Sequence, residues 1–234
     1  MRTVFMKSLS AIIGIAALVA VIGIGCLAAD PRAAIPDGDP KPQRVPAVKV
    51  MPLDRYVFVL QPSKGMPSVL APTFERLTAQ GFVAVPITIQ ADRGATARAV
   101  EKEVARLIDG GTPASHVTII GWGETGDQLI ASAERIDNGG VGYVIIDGCS
   151  NPRIGFRQPL KGRFLSLAIP KPDGTGASCI GTFSARGSAS NFSFDEVWVQ
   201  PSPDGNKTIP MLMIAEAVNS WAHDSNNGSD ADPR

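Results

Sequence analysis

Between His116 and Arg135 the chain reads HVTIIGWGETGDQLIASAER, and no other stretch limits the possible folds so sharply. Val117 to Ile120 is a short β-branched run of the kind found in buried strands. Gly121, Gly123 and Gly126 then turn the chain. Leu129, Ile130, Ala133 and Ile136 follow at the spacing of one apolar helix face. A strand that turns sharply into a helix delivers its turn residues to the carboxyl end of a parallel sheet, where open α/β sheets bind their ligands.

The flanking sequence supplies more units of the same kind. Tyr56 to Leu60 is expected to be a strand, followed by a helix capped by Ser68 and running through Gln80, with Val69, Phe74 and Leu77 turned inward. Pro72 falls in its first turn and Gly81 is its stop. Phe82 to Ile89 is the next strand, and Pro86 marks it as an edge or bulged strand. Thr96 is expected to cap a second helix, which places Val100, Val104, Leu107 and Ile108 on one face and ends at Gly110-Gly111. Beyond the central unit, strands are expected at Val141–Asp147, Arg163–Ile169 and Phe194–Gln200, with a closing helix from Ile209 to Ala222. Alternating strands and helices predict a single α/β domain, a mostly parallel sheet with helices on both faces.

The ends of the chain read differently. Arg2 and Lys7 precede an apolar run from Ala11 to Gly25 and then Cys26-Leu-Ala-Ala-Asp30, the pattern of an export signal. Residues 1–29 are expected to be either a cleaved signal peptide or a retained N-terminal anchor, and Cys26 is a weaker candidate for lipidation. Residues 30–46, with five prolines, form a linker. The domain is expected over 47–223, with a disordered tail at 224–234. This organisation implies an exported protein, periplasmic or tethered, that meets a membrane only through its N-terminal segment.

Several functions are excluded at the level of composition. Lys and Arg total 22 against 22 Asp and Glu, and no dense basic stretch marks a nucleic-acid footprint. Two histidines and three cysteines, widely scattered, do not make a metal cluster, and no metal or cofactor is expected.

The central turn admits three interpretations. Gly121-x-Gly123-x-x-Gly126 has the dinucleotide-binding spacing, and Asp147 ends the next strand where an acid would take ribose hydroxyls. Two strand-helix units nevertheless precede it, whereas a dinucleotide fold begins there. A phosphate loop fails, because Asp127 and Gln128 replace its lysine and hydroxyl. The third interpretation is a nucleophile elbow, and here the chain resembles the bacterial α/β-hydrolase superfamily from Tyr56 to Trp221. Val57 to Gln80 is similar to the stretch carrying the oxyanion loop, and Val117 to Gly126 to the strand and elbow. Val144 to Cys149 resembles the following strand. Phe164-Leu-Ser-Leu and Pro172-Asp173 resemble the strand and loop bearing the triad acid. Phe194 to Val199 and the helix through Trp221 resemble the last strand and helix.

The departures from that resemblance bear on function. Gly123 stands where the elbow serine belongs, and Thr125 where the second glycine belongs. Pro201 to Lys207, where the triad histidine would fall, has none; His116 and His223 are expected to be ordinary surface residues, His223 beyond the closing helix. Gln61-Pro62 replaces the family's His-Gly, and only Asp173 survives at a triad position. Serine-triad chemistry needs a hydroxyl, a base and an orienting group, so the resemblance implies the fold without the activity.

The expected function is therefore that of a catalytically degenerate hydrolase-like protein. It would bind a small molecule or protein partner in a crevice lined by Gln61, Trp122, Gly123, Glu124 and Asp173. Two alternatives remain open: an ester-type hydrolase using an unconventional acid such as Glu124 or Asp173, and dinucleotide binding at the three glycines. The hydrolase strand order also makes neighbours of the strands preceding Cys149 and Cys179, which implies a disulfide between them.

Overall fold

The computed structural model describes residues 49–66, 68, 70–149, 159–170, 178–184, 191–200 and 208–227. The described residues all belong to one compact unit, Arg44–Arg234. Among the described residues there are six strands: β1 (Arg55–Gln61), β2 (Phe82–Thr88), β3 (Val117–Trp122), β4 (Gly142–Ile146), β5 (Gly162–Ala168) and β6 (Phe192–Trp198). They form one sheet in the order β2-β1-β3-β4-β5-β6, and every neighbouring pair is parallel. The helices are α1 (Ala71–Ala79), α2 (Arg93–Asp109), α3 (Thr125–Ile136), the short α4 (Ile180–Ser184) and α5 (Thr208–Asn227).

The period-two alternation of the strands sorts the core into two layers. Tyr56, Phe58 and Leu60 of β1 join Val100, Val104 and Leu107 of α2 and Leu129, Ile130 and Ala133 of α3 on one face. Val57 and Val59 join Leu77 of α1 and Ile214, Val218 and Ala222 of α5 on the other. The central strands are apolar throughout because both faces are covered. Pro86 lies in β2, an edge strand, where its missing N–H breaks no ladder. At the other edge, β6 alternates between half-buried and exposed residues.

Local capping departs from expectation in three places. Helix α1 starts at Ala71 rather than after Ser68, because Leu70 is buried and its carbonyl accepts the first helical bond from Phe74 N–H (2.9 Å). Val69 lies outside the described residues. Asp92, not Thr96, caps α2 by accepting from Gly94 N–H (2.9 Å). Thr96 is buried one turn further in, and its hydroxyl accepts from Gln90 N–H (2.8 Å), satisfying a backbone donor that would otherwise have no partner there. The third departure is α5, which runs through Asn227, beyond both its expected end at Ala222 and the start of the expected tail. His223 is thus inside the helix; no glycine or proline interrupts the sequence before Gly228. The strands shift by one or two residues at their ends, β3 running on to Trp122 and β6 covering 192–198.

Candidate functional site

The chain steps from β1 outward to β2 and then back across β1 to β3, so the order of strands reverses between β1 and β3. That reversal opens a gap between neighbouring connections at the carboxyl ends of these two strands. Gln61 is the last residue of β1 and Trp122 the last of β3. Gly123 and Glu124 follow Trp122 directly, so four of the five residues expected at the crevice lie on this rim. The fifth, Asp173, lies outside the described residues.

Gly123 has φ +54°, the left-handed conformation of a sharp elbow. Its N–H donates to the Ile146 carbonyl (2.9 Å) and its own carbonyl accepts from Gly126 N–H (3.0 Å), so the turn is fixed at both ends. Among the described residues, a Cβ placed on Gly123 would find no atom within 4 Å. As far as those residues are concerned, the summit of the elbow is open and bears no side chain.

Beneath the summit the turn is closely packed. Thr125 is fully buried; its Oγ1 accepts from Trp122 N–H (2.7 Å) and donates back to the Trp122 carbonyl (3.1 Å). A Cβ on Gly121 would come within 2.9 Å of the Thr125 carbonyl oxygen, and one on Gly126 within 2.8 Å of the Gly148 carbonyl oxygen. Gly121 and Gly126 thus let α3 sit directly against β3 and the end of β4, a close-approach role for glycine. Motif spacing marked Thr125 only as a missing glycine, not as the hydroxyl that fastens the turn, and it did not mark Gly148, a glycine just past a buried strand end.

The side chains around the elbow are mixed in character. Trp122 is partly buried against the apolar layer beneath α1 and α5. Gln61 Nε2 donates to Thr88 Oγ1 (3.3 Å), linking the ends of β1 and β2. Glu124 is exposed and its carboxylate makes no capping bond at the start of α3. Asp127, in the first turn of α3, accepts from Arg93 of α2 (3.3 Å). Burial raises its carboxyl pKa above the ordinary 3.8, and Arg93 offsets part of that rise. Asp147, directly after β4, is in a left-handed conformation (φ +49°), its N–H donating to the Leu167 carbonyl (2.9 Å).

Both histidines lie at the opposite end of the sheet. His116 precedes the first residue of β3, in a single 3-10 turn (Ala114–His116). His223 packs edge-on against Phe82, the first residue of β2 (ring centroids 5.1 Å apart), and its Nδ1 pairs with the Arg55 guanidinium at the start of β1. It is a half-buried packing residue of α5 rather than a surface histidine beyond the helix. With about 3.3 Å of rise per strand residue, β3 alone holds His116 on the order of 20 Å from the elbow. A shallow cavity of about 460 Å³ is also at the amino end, between the loop before β4 and the starts of β5 and β6. None of the residues expected at the site lines it.

Cys149 and Cys179 form a disulfide with Cα atoms 5.2 Å apart. It joins the loop after β4 to the segment entering α4, as the adjacency of β4 and β5 requires. Glu196 of β6 holds the same segment, accepting from Ser178 Oγ (2.8 Å) and Cys179 N–H (2.7 Å). Among the described residues no three His, Cys, Asp or Glu side chains come together as a metal site, and no helix is long and apolar enough to cross a membrane.

No family model matches the chain, and no curated protein matches it in sequence. Solved structures do match it in shape. MGS-M1, an α/β-hydrolase enzyme from a Medee basin deep-sea metagenome library, aligns with a TM-score of 0.53 at 11% identity, over 74% of this chain and 86% of that one. An esterase of Pyrobaculum calidifontis aligns with a TM-score of 0.50 at 12% identity, over 77% and 78%. At such identities the likeness concerns architecture: a six-stranded parallel sheet, its order reversing at an elbow between strand and helix, flanked on both faces by helices. The chain has an α/β-hydrolase-like fold.

Proposed function

We propose that this protein is an exported, catalytically degenerate relative of the α/β-hydrolases that binds a small ligand or a protein partner at the rim around Gly123. The observation that carries this reading is the elbow itself. Its backbone keeps the left-handed turn that would present a nucleophile, with open space above it, while the residue there has no side chain. Acyl transfer at this position would need a hydroxyl and a base within hydrogen-bond reach. Both histidines of the sequence sit at the far end of the sheet, and the hydroxyl of Thr125, two residues past the elbow glycine, is committed to the Trp122 backbone.

What remains is a shaped rim: an open elbow, a half-buried indole, an amide and an exposed carboxylate, positioned by rigid strand ends. Such a rim suits binding, because a ligand group can enter the space a catalytic side chain would occupy. Export follows from the charged and apolar N-terminal pattern and supplies the compartment in which the disulfide persists.

The test pairs reactivity with binding. Fluorophosphonate labelling and a panel of short-chain esters are expected to give no labelling and no turnover. A ligand screen read by indole fluorescence is expected to yield binders whose affinity falls at least tenfold in Gly123→Leu, which fills the opening. Ester hydrolysis abolished by Glu124→Gln would overturn the reading in favour of an acid-dependent hydrolase. Saturable NAD binding lost in Gly123→Leu would redirect it to a dinucleotide.

A further inference from the structure

The segment that enters β1 is held far more firmly than an entry loop needs to be. Asp54 N–H donates to the Met51 carbonyl (3.0 Å), closing a turn over Met51-Pro52-Leu53-Asp54. The hydroxyl of Tyr56, a fully buried residue, accepts from Met51 N–H (2.8 Å) and lies 3.3 Å from the Lys49 and Met51 carbonyls. Val50 packs so closely on Gly110 that a Cβ there would approach its Cγ1 to 2.6 Å, and Pro52 borders Gly111. On this braced turn Leu53 is 89% exposed and Met51 46% exposed, with Pro52 exposed between them.

Scattered exposed leucines are ordinary. Here, however, three consecutive apolar side chains are presented outward by a turn whose backbone is fastened to the core. Val50 and the Tyr56 hydroxyl explain why the backbone is fastened here, but they leave the outward side chains of Met51, Pro52 and Leu53 without a role inside the domain. The sequence names that partner by position. The turn begins five residues after Pro46, the end of the proline-rich linker, and that linker leads back to the apolar run Ala11 to Gly25.

We propose that Met51, Pro52 and Leu53 form a contact that seats in the lipid surface to which the N-terminal segment anchors the chain. The proposal depends on retention of that segment and is independent of what the elbow binds. Asp30 to Pro46 is 17 residues long with five prolines, and at about 3.1 Å per residue a stretch of that length can reach at most on the order of 50 Å. A tether of that reach leaves the domain free to present any side to the bilayer. It also keeps the turn at a high local concentration near the surface, so a small apolar contact suffices. Because all six strands are parallel and the turn precedes β1, seating it directs the amino ends of the strands to the lipid and the Gly123 rim away from it.

The experiment uses the full chain in phosphatidylethanolamine–phosphatidylglycerol vesicles, in a Cys26→Ser background with the native disulfide intact. An environment-sensitive fluorophore is attached in turn at Leu53→Cys and Glu124→Cys, and folding of each labelled protein is checked by its melting curve. The expected result is blue-shifted emission at position 53, quenched by spin-labelled lipid, with position 124 unshifted and unquenched. With the fluorophore moved to Met51→Cys, Leu53→Asp should abolish its protection from a water-soluble quencher without releasing the protein from vesicles. Equal, water-like emission at both positions on floated protein overturns the proposal. Failure of the chain to float with vesicles overturns it too, by removing the anchor.

Discussion

Replacing Thr125 by valine tests whether the buried hydroxyl, rather than glycine spacing alone, holds the elbow shut. Valine preserves the branched shape but removes the acceptor for Trp122 N–H (2.7 Å) and the donor to the Trp122 carbonyl (3.1 Å). Thr125 is fully buried, so water cannot readily replace the lost oxygen. Leaving a buried donor unsatisfied costs about 1–3 kcal/mol. In a domain of this size each kcal/mol shifts Tm by about 2–4 °C, so a loss of roughly 2 kcal/mol predicts a fall of about 4–8 °C. Thr125→Ser keeps both bonds and loses only a methyl group, so it should fall distinctly less. The assay is calorimetric or circular-dichroism melting of wild type and both variants at one pH, with indole fluorescence reporting the environment of the residue that ends β3. If Thr125→Val melts within about 1 °C of wild type, or if Thr125→Ser drops as far as valine, the hydroxyl is not what closes the turn.

Gly123→Ala meets no atom but must hold the left-handed conformation, which predicts a loss of about 1–2 kcal/mol, partly recovered in Gly123→Asn. Gly126→Ala instead drives a Cβ to 2.8 Å from the Gly148 carbonyl oxygen, so denaturant melts should show Gly126→Ser losing more again, with no recovery by asparagine. The double variant Cys149→Ser/Cys179→Ser opens a loop of sequence separation 30 and is expected to lose about 3–4 kcal/mol by urea titration. Asp127 has a raised folded pKa, so its folded state binds the proton more tightly than the unfolded chain does and the charged form is the disfavoured one. Asp127→Asn should therefore raise Tm near neutral pH, and that advantage should shrink as the pH falls toward 3.8; an advantage that grows on acidification would refute the assignment.

The layered architecture was legible in the sequence because its strongest signals are periodic. The β-branched runs at Val57–Leu60, Val117–Ile120 and Val144–Ile146 have no polar alternation, as sheets covered on both faces require, and each recurs as a central strand. Helix starts were less legible, since Asp92 and Thr96 are both acceptable caps and the choice was made by burial of Thr96 beneath Gln90. His223 was misplaced for a related reason: nothing in Ala222-His223-Asp224 marks a helix end, and only packing against Phe82 reveals its role. At the elbow, the glycine spacing located the turn without distinguishing the open position, Gly123, from the packed ones, Gly121 and Gly126. That distinction depends on the Thr125 carbonyl turning back over Gly121 and on Gly148, which reaches Gly126 only in three dimensions.

The reversal of strand order between β1 and β3 also bears on how the chain reaches this state. Tyr56 pairs with Val117 only after the whole excursion through β2 and α2 has been laid down, so the middle of the sheet is its most non-local part. Contacts of that kind slow folding, because the entropy of closing the loop is spent before the pairing returns anything. Partly folded molecules would display the apolar faces of β1 and β3 in the meantime, which makes the half-formed sheet, more than the finished one, the species that a chaperone in its compartment would have to protect.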